Sequence, residues 1–296
     1  MGEARYFIGL DGGATRCRAR LLDSQGRRLA EQTGPAANIY IDFDQSLAGI
    51  NQLVSLTLRT AGLPLESKNE TAFGLGLAGL SRAEDAARVG AALAGWARVE
   101  AVNDAVTACV GANGASDGGL VIAGTGTAGI ARMAGRSMII GGRGFWLGDD
   151  GSGARMGADA LRAAMRAYDG LEEMTGLSHA LLERFDFDPH AMTHWALAAK
   201  PGDYGAFAPQ VLDAARGGEP QAREIAERAA QAIARLARRV LELGAPSVAY
   251  VGGVAEPLRE FLPEGISALL QRPKYDALAG AILMMGGPVT SDGATP

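Results

Sequence analysis

Polar and apolar positions divide the start of the chain into short runs of period two. Tyr6, Phe7, Ile8 and Leu10 are strand formers, and after Asp11-Gly12-Gly13-Ala14-Thr15 a second run opens in which Ala19 and Leu21 alternate with Arg18 and Arg20. This pattern predicts a β-hairpin over 6–23. A third strand follows over 28–33, then a loop through Gly34 to Asn38. From about Asp44, Leu47, Ile50, Val54, Leu58 and Ala61 recur at helical spacing until Gly62 and Pro64 stop the helix. A buried strand over 71–77, a helix over 82–95, a strand over 99–102 and a helix opening at Asn103-Asp104 complete the order β-β-β-α-β-α-β-α.

The pattern then begins again on a different sequence. An apolar strand over 119–123 runs into Gly124-Thr125-Gly126-Thr127, a returning strand occupies 129–133, and a further strand spans 137–140. Two such openings in one chain predict a duplicated α/β architecture. From Gly151 the periodicity is helical, with helices expected over 152–168, 176–185, 188–199 and 203–216. In a long helix over 219–243, Ile225, Ala229, Ile233, Leu236, Val240 and Leu243 form one apolar stripe. A last buried strand over 247–251 ends in Gly252-Gly253-Val254, a helix starts at Glu256, and a closing helix is expected over 276–285. The division that follows is an N-terminal domain 1–107, a larger C-terminal domain 108–285 with a helical insertion, and a flexible tail 286–296.

Composition narrows the function more than the fold. With 296 residues, 48% hydrophobic and 21% charged, the chain is long enough for two cores. A net charge of −5 provides no basic field for nucleic acid or an anionic membrane, so an anionic ligand must be held locally by backbone amides and a metal ion. Cys17 and Cys109 lie in apolar runs and read as small core residues in a reducing compartment. No run reaches 18 apolar residues and the start carries no leader pattern, which leads us to expect a soluble, cytoplasmic protein.

Three glycine turns, at 12–13, 124–126 and 252–253, each follow a buried strand, and phosphate-bearing ligands bind at such strand ends. Adjacent glycines let backbone amides approach an anion closely, and Asp11 beside the first turn is placed to carry a metal ion; the same residues also suit an ordinary Gly-Gly hairpin. None of the turns is a P-loop or a dinucleotide fingerprint. Asp104, at the end of an apolar strand, is the candidate for proton transfer, with a helix N-cap as the alternative use of that carboxylate. The glycine-rich loop 141–153 carries Asp149 and Asp150, which suit either hydroxyl binding or capping of the next helix. His190 and His194 have the i, i+4 spacing of metal ligands but lack the rest of such a motif.

Through LDGGATRCRARL, AANI, NDAVTACVGA, IAGTGTAGI, GGRGFWLGDDGSGA, KPGDYGAFAPQV, VGGVAEPL and DALAGA, the chain resembles the N-acetylglucosamine kinase and glucosamine kinase branch of the actin, hexokinase and Hsp70-like ATPase superfamily. The resemblance implies two ribonuclease H-like domains with a nucleotide cleft between them, and closure over an amino sugar that is phosphorylated on its primary hydroxyl. ATP and Mg²⁺ would be the cofactors. Gly12, Gly13, Thr15 and Arg16 would form the first phosphate loop, with Asp11 holding Mg²⁺ through water. Gly124, Thr125, Gly126 and Thr127 would form the second, and Gly252, Gly253 and Val254 the adenosine-side turn. Asn38, Gly144 and Asp149 would bind sugar hydroxyls, and Asp104 would be both the base and a sugar contact. The chain departs from the family at Ala14, where a third glycine is usual, and at Arg143, where some relatives carry an aromatic residue. A homodimer is the expected assembly, without nucleic acid or membrane partners. Two other readings share the superfamily: an ATPase activator of a radical dehydratase, which needs cluster-binding cysteines, and a non-catalytic sugar sensor.

Overall fold

The computed structural model describes residues 4–13 and 16–290. Its elements run β1 (Tyr6–Gly12), β2 (Cys17–Asp23), β3 (Arg28–Gly34), α1 (Phe43–Thr60), β4 (Thr71–Leu77), α2 (Ala83–Ala92), β5 (Arg98–Asn103) and α3 (Asp104–Asn113). They continue with β6 (Gly118–Ala123), β7 (Thr127–Met133), β8 (Arg136–Gly141), α4 (Gly153–Tyr168), α5 (Gly176–Glu183), α6 (Pro189–Ala198), α7 (Pro201–Gly205), α8 (Ala208–Arg216) and α9 (Pro220–Glu242). The last are β9 (Val248–Val251), α10 (Ala255–Leu258), α11 (Ile266–Leu269), β10 (Leu270–Gln271) and α12 (Ala277–Met284).

Both sheets have five strands, ordered β3-β2-β1-β4-β5 and β10-β9-β6-β7-β8. In each, three strands consecutive in sequence lie side by side, and the first of them is flanked on its other side by a later pair. The expected duplication is therefore present. In the first sheet β1 is antiparallel to β2 but parallel to β4, and β4 is parallel to β5, so β1, β4 and β5 end on one edge. In the second, β6 is parallel to β9 and β9 to β10.

The chain forms two compact units. One takes the described residues up to Gly118, the 132–137 turn and the described residues from Arg272 on; the other takes 119–131 and 138–271. The boundary expected at 107/108 falls inside α3, and α12 belongs to the first unit. The reason is the close approach of these two helices: a Cβ on Gly280 would stand 1.8 Å from the Thr107 carbonyl oxygen, so only glycine lets them touch. Lys274 and Tyr275 add backbone bonds to Ala112 and Gly111. The expected tail also begins packed. Val289 lies against the Phe7, Leu22, Ala72, Ile282 and Met285 cluster, and the Thr290 hydroxyl donates to the Gly26 carbonyl at 3.3 Å; residues 291–296 lie outside the described residues.

Each unit has its own core. Ile8, Leu10, Leu21, Val54, Leu58, Phe73 and Leu75 are buried in the first, and removal of a side chain such as Phe73 from water contributes about 1.5–3 kcal/mol. In the second, α9 buries a band wider than the one expected, because Ala222, Ala226, Ala230 and Ala237 join Ile225, Ile233 and Val240. The helix expected over 203–216 is two helices. Pro209 has no N–H to offer the Gly205 carbonyl and its ring crowds that oxygen, so α7 ends at Gly205 and α8 starts at Ala208.

Candidate active site

In the first unit the strand register collects the expected residues at one sheet edge. Gly12 of β1 is level with Leu77 of β4, and Leu77 with Asn103 of β5, so the next positions, Gly13, Ala78 and Asp104, leave the sheet together. Neighbouring loops are tied to this row: the Ala78 amide donates to the Gly12 carbonyl at 2.8 Å and the Ala37 amide to the Gly13 carbonyl at 3.3 Å. Asn38 follows in an isolated parallel bridge to Ala78 and accepts the Tyr40 amide on its side chain at 3.1 Å. The Gly13 amide closes onto the Arg16 carbonyl at 3.0 Å. Thr15, and Ala14 at the family's third glycine, lie outside the described residues.

Asp104 is not the cap of α3. Asn103 has that role: its Oδ1 accepts the Ala105 amide at 3.0 Å, and its Nδ2 donates to the Leu80 carbonyl at 3.2 Å. Asp104, one residue on, also accepts the Ala105 amide at 2.9 Å. Burial raises its pKa from 3.8 to about 6, opposed by that amide and assisted by the negative charge of Asp11. It is therefore a carboxylate poised near neutrality rather than a fixed anion.

Asp11 is ion-paired. Arg18, its cross-strand partner on β2, donates from Nη2 to Oδ2 at 3.0 Å, and both side chains are about a quarter exposed. Two positions further along β2, the buried Arg20 bonds Glu31 at 2.7 Å and grips Asp276, the cap of α12, through both carboxylate oxygens at 3.0 and 2.8 Å. No group of three or more His, Cys, Asp or Glu that could hold a metal by itself occurs among the described residues. An oxygen donor of this kind suits a hard divalent cation that brings phosphate and water oxygens with it, so Asp11 fits Mg²⁺.

In the second unit the other two glycine turns adjoin. They leave the neighbouring parallel strands β6 and β9, and the Val254 amide donates to the Ala123 carbonyl at 3.1 Å. Gly252, with φ 117°, approaches Ala123 so closely that a Cβ would stand 2.1 Å from its oxygen. The 141–153 loop is strapped to the first of these turns. Asp149 Oδ1 accepts the Thr127 amide at 3.1 Å, the Thr127 hydroxyl donates to the Asp150 carbonyl at 3.0 Å, and the Gly153 amide donates to the Gly124 carbonyl at 2.8 Å. Asp149 is buried with φ 61°, and burial raises its pKa. The helix cap that the sequence left open for Asp149 or Asp150 is Ser152. Gly144 has φ 80° and open space around it.

Sequence reasoning missed Arg18, Arg20, Asn103 and Asp276. Their signals were faint but physical. Arg18 and Arg20 alternate on one face of a strand whose neighbours carry Asp11 and Glu31, and Asn103 sits at a strand-to-helix junction.

Comparison with known proteins extends the site to a family. A profile of the BadF/BadG/BcrA/BcrD ATPase family matches residues 8–284. Glucosamine kinase of Vibrio cholerae is 31% identical over 96% of each chain. N-acetyl-D-glucosamine kinase of Dictyostelium discoideum is 32% identical over 68% of this chain and 67% of its own. A solved Chromobacterium violaceum structure assigned to an N-acetylglucosamine kinase is 33% identical, covers 95% of this chain and 99% of its own, and superposes with a TM-score of 0.88.

Proposed function

The chain belongs to the BadF/BadG/BcrA/BcrD ATPase family, and from that premise we propose that it transfers the γ-phosphoryl group of ATP to the primary hydroxyl of an amino sugar, glucosamine or N-acetylglucosamine, giving the 6-phosphate. The observation that carries this reading is Asp104: a carboxylate just past the end of β5, one residue beyond the Asn103 cap, with which it shares the Ala105 amide, and held near pKa 6 by burial. Its relatives are kinases for the same sugars.

Asp104 accepts the proton of the attacking hydroxyl as the oxygen adds to the γ-phosphorus and the bond to the β-phosphate oxygen breaks. Asn38, Gly144 and Asp149 orient sugar hydroxyls. The 12–16 and 124–127 turns hold phosphate oxygens, the second through the Thr125 and Gly126 amides because those of Gly124 and Thr127 donate to the Gly126 carbonyl and to Asp149, and the 252–254 turn holds the adenosine side. Asp11 would hold, through water, Mg²⁺, which neutralises the charge that develops on the phosphates. Cys17 and Cys109 are buried inside β2 and α3, so neither stands at a surface where a cluster shared between subunits could be held.

A coupled ADP-release assay over a panel of hexoses and amino sugars tests the reading. Release should depend on an amino sugar, and Asp104→Asn should lower kcat by about 10²–10⁴ while sugar affinity stays within a few-fold. Near-normal turnover in that variant would remove Asp104 from the chemistry, and no response to any amino sugar would reject the kinase.

A further inference from the structure

The Asp11–Arg18 pair places a permanent cation on one oxygen of the carboxylate that would hold the metal. Register fixes the pairing, because Asp11 and Arg18 are opposite each other in the β1/β2 ladder. The guanidinium has a second acceptor close by: Nη1 is 4.0 Å from Oδ2 of Asp276, a carboxylate only 11% exposed. Its Nε is buried and without a hydrogen-bond partner among the described residues, so the side chain is held at Asp11 by one end only. Arg18 can thus exchange Asp11 for Asp276 by a small rotation of its head group, and at neither position does its charge become unpaired.

We propose that Arg18 is a positioning residue that makes metal binding at Asp11 dependent on the nucleotide. A bare divalent cation approaching Asp11 meets a like charge already held on that carboxylate at 3.0 Å, whereas a metal arriving with a triphosphate brings the negative charge that compensates both cations. The proposal rests on the reading of Asp11 as the metal carboxylate.

The test is a titration of the full-length protein with Mn²⁺ alone, free Mn²⁺ being counted by its electron paramagnetic resonance signal. Arg18→Gln should bind Mn²⁺ at least tenfold more tightly than the parent. Arg18→Lys, which keeps the charge, should behave as the parent does. Asp11→Asn added to Arg18→Gln should abolish the gain. Phe73→Leu, a core change in the same unit that touches none of these charges, should lower Tm without changing Mn²⁺ affinity, which separates a metal effect from a general loss of structure. If Arg18→Gln melts below the assay temperature, Arg18→Met carries the same expectation. Equal affinity in the parent and the charge-removed variants, or an equal gain in Phe73→Leu, would overturn the proposal. Calorimetry of the parent with Mg²⁺ and ATP is read separately: absence of nucleotide binding would reject the kinase while leaving the Mn²⁺ comparison to report on Arg18.

Discussion

As the proposed base, Asp104 would couple activity to stability through one proton. Its folded pKa of about 6 lies above the ordinary 3.8, with burial as the main cause. The base must be ionised to accept the sugar proton, so kcat/KM should fall about tenfold per pH unit below about pH 6. The stability effect has the opposite sign. Between pH 3.8 and about 6 the folded chain binds more protons than the unfolded one, so the contribution of Asp104 is fully present below 3.8 and is lost as pH rises through 6. Asp104→Asn should therefore raise Tm at pH 8 relative to the parent, with the difference vanishing near pH 4. Scanning calorimetry at the two pH values decides it, and an equal shift at both would sink the argument. Sequence spacing located this carboxylate but left its role open between base and cap. The ambiguity could not be resolved from the dipeptide Asn103-Asp104, because either side chain can cap a helix and only backbone geometry puts Asn103 at the cap position, with Asp104 sharing the Ala105 amide. Arg20 and Asp276 were less legible still. Alternation shows which face of β2 an arginine takes, but nothing local in the sequence points to a partner 256 positions away.

At the scale of elements, periodicity located the strands flanking the three glycine turns and most of the helices. What it missed has local physical causes. Pro209 divides the 203–216 segment, and α11 and β10 are too short to have a period. The helix expected from Glu256 is a single turn, Ala255–Leu258, followed by a 3-10 turn. The site itself depends on a contact that no pattern of hydrophobicity reports, the approach of α12 to α3 across Gly280. Gly280→Ala would force its new carbon against the Thr107 carbonyl and push apart the helix that carries Asp104. We expect a loss of about 1–3 kcal/mol in stability, with a fall in kcat. Gly90, in α2, has nothing within 4 Å of the same added carbon, so Gly90→Ala should instead stabilise by about 0.5–1 kcal/mol. Urea unfolding of the pair separates close packing from helix propensity: equal shifts in the same direction would show that the α3–α12 contact carries no special constraint.

For the whole molecule, the two sheets repeat one strand order, yet the chain does not simply complete one unit and begin the next. It leaves the first unit after Gly118 and returns at Arg272 to supply α12. That return makes the first unit depend on the end of the described chain. Ile282 and Met285 complete the cluster around Phe7, Leu22 and Ala72, and Asp276 answers the fully buried charge of Arg20. Loss of one partner of a buried pair costs about 3–5 kcal/mol, so Arg20→Ala should be among the more destabilising single substitutions in this unit. A chain ending at Gln271 would lose the pair, the cluster and the α3 contact together. The second unit keeps its own core, from Val121 through Phe207 to Tyr250. Hydrogen exchange read by mass spectrometry should then find the amides of β1 and β4 unprotected in the shortened chain, while those of β6, β9 and α9 stay protected. Protection of β1 and β4 equal to that in the full chain would show that α12 is an accessory to the first unit rather than part of its fold.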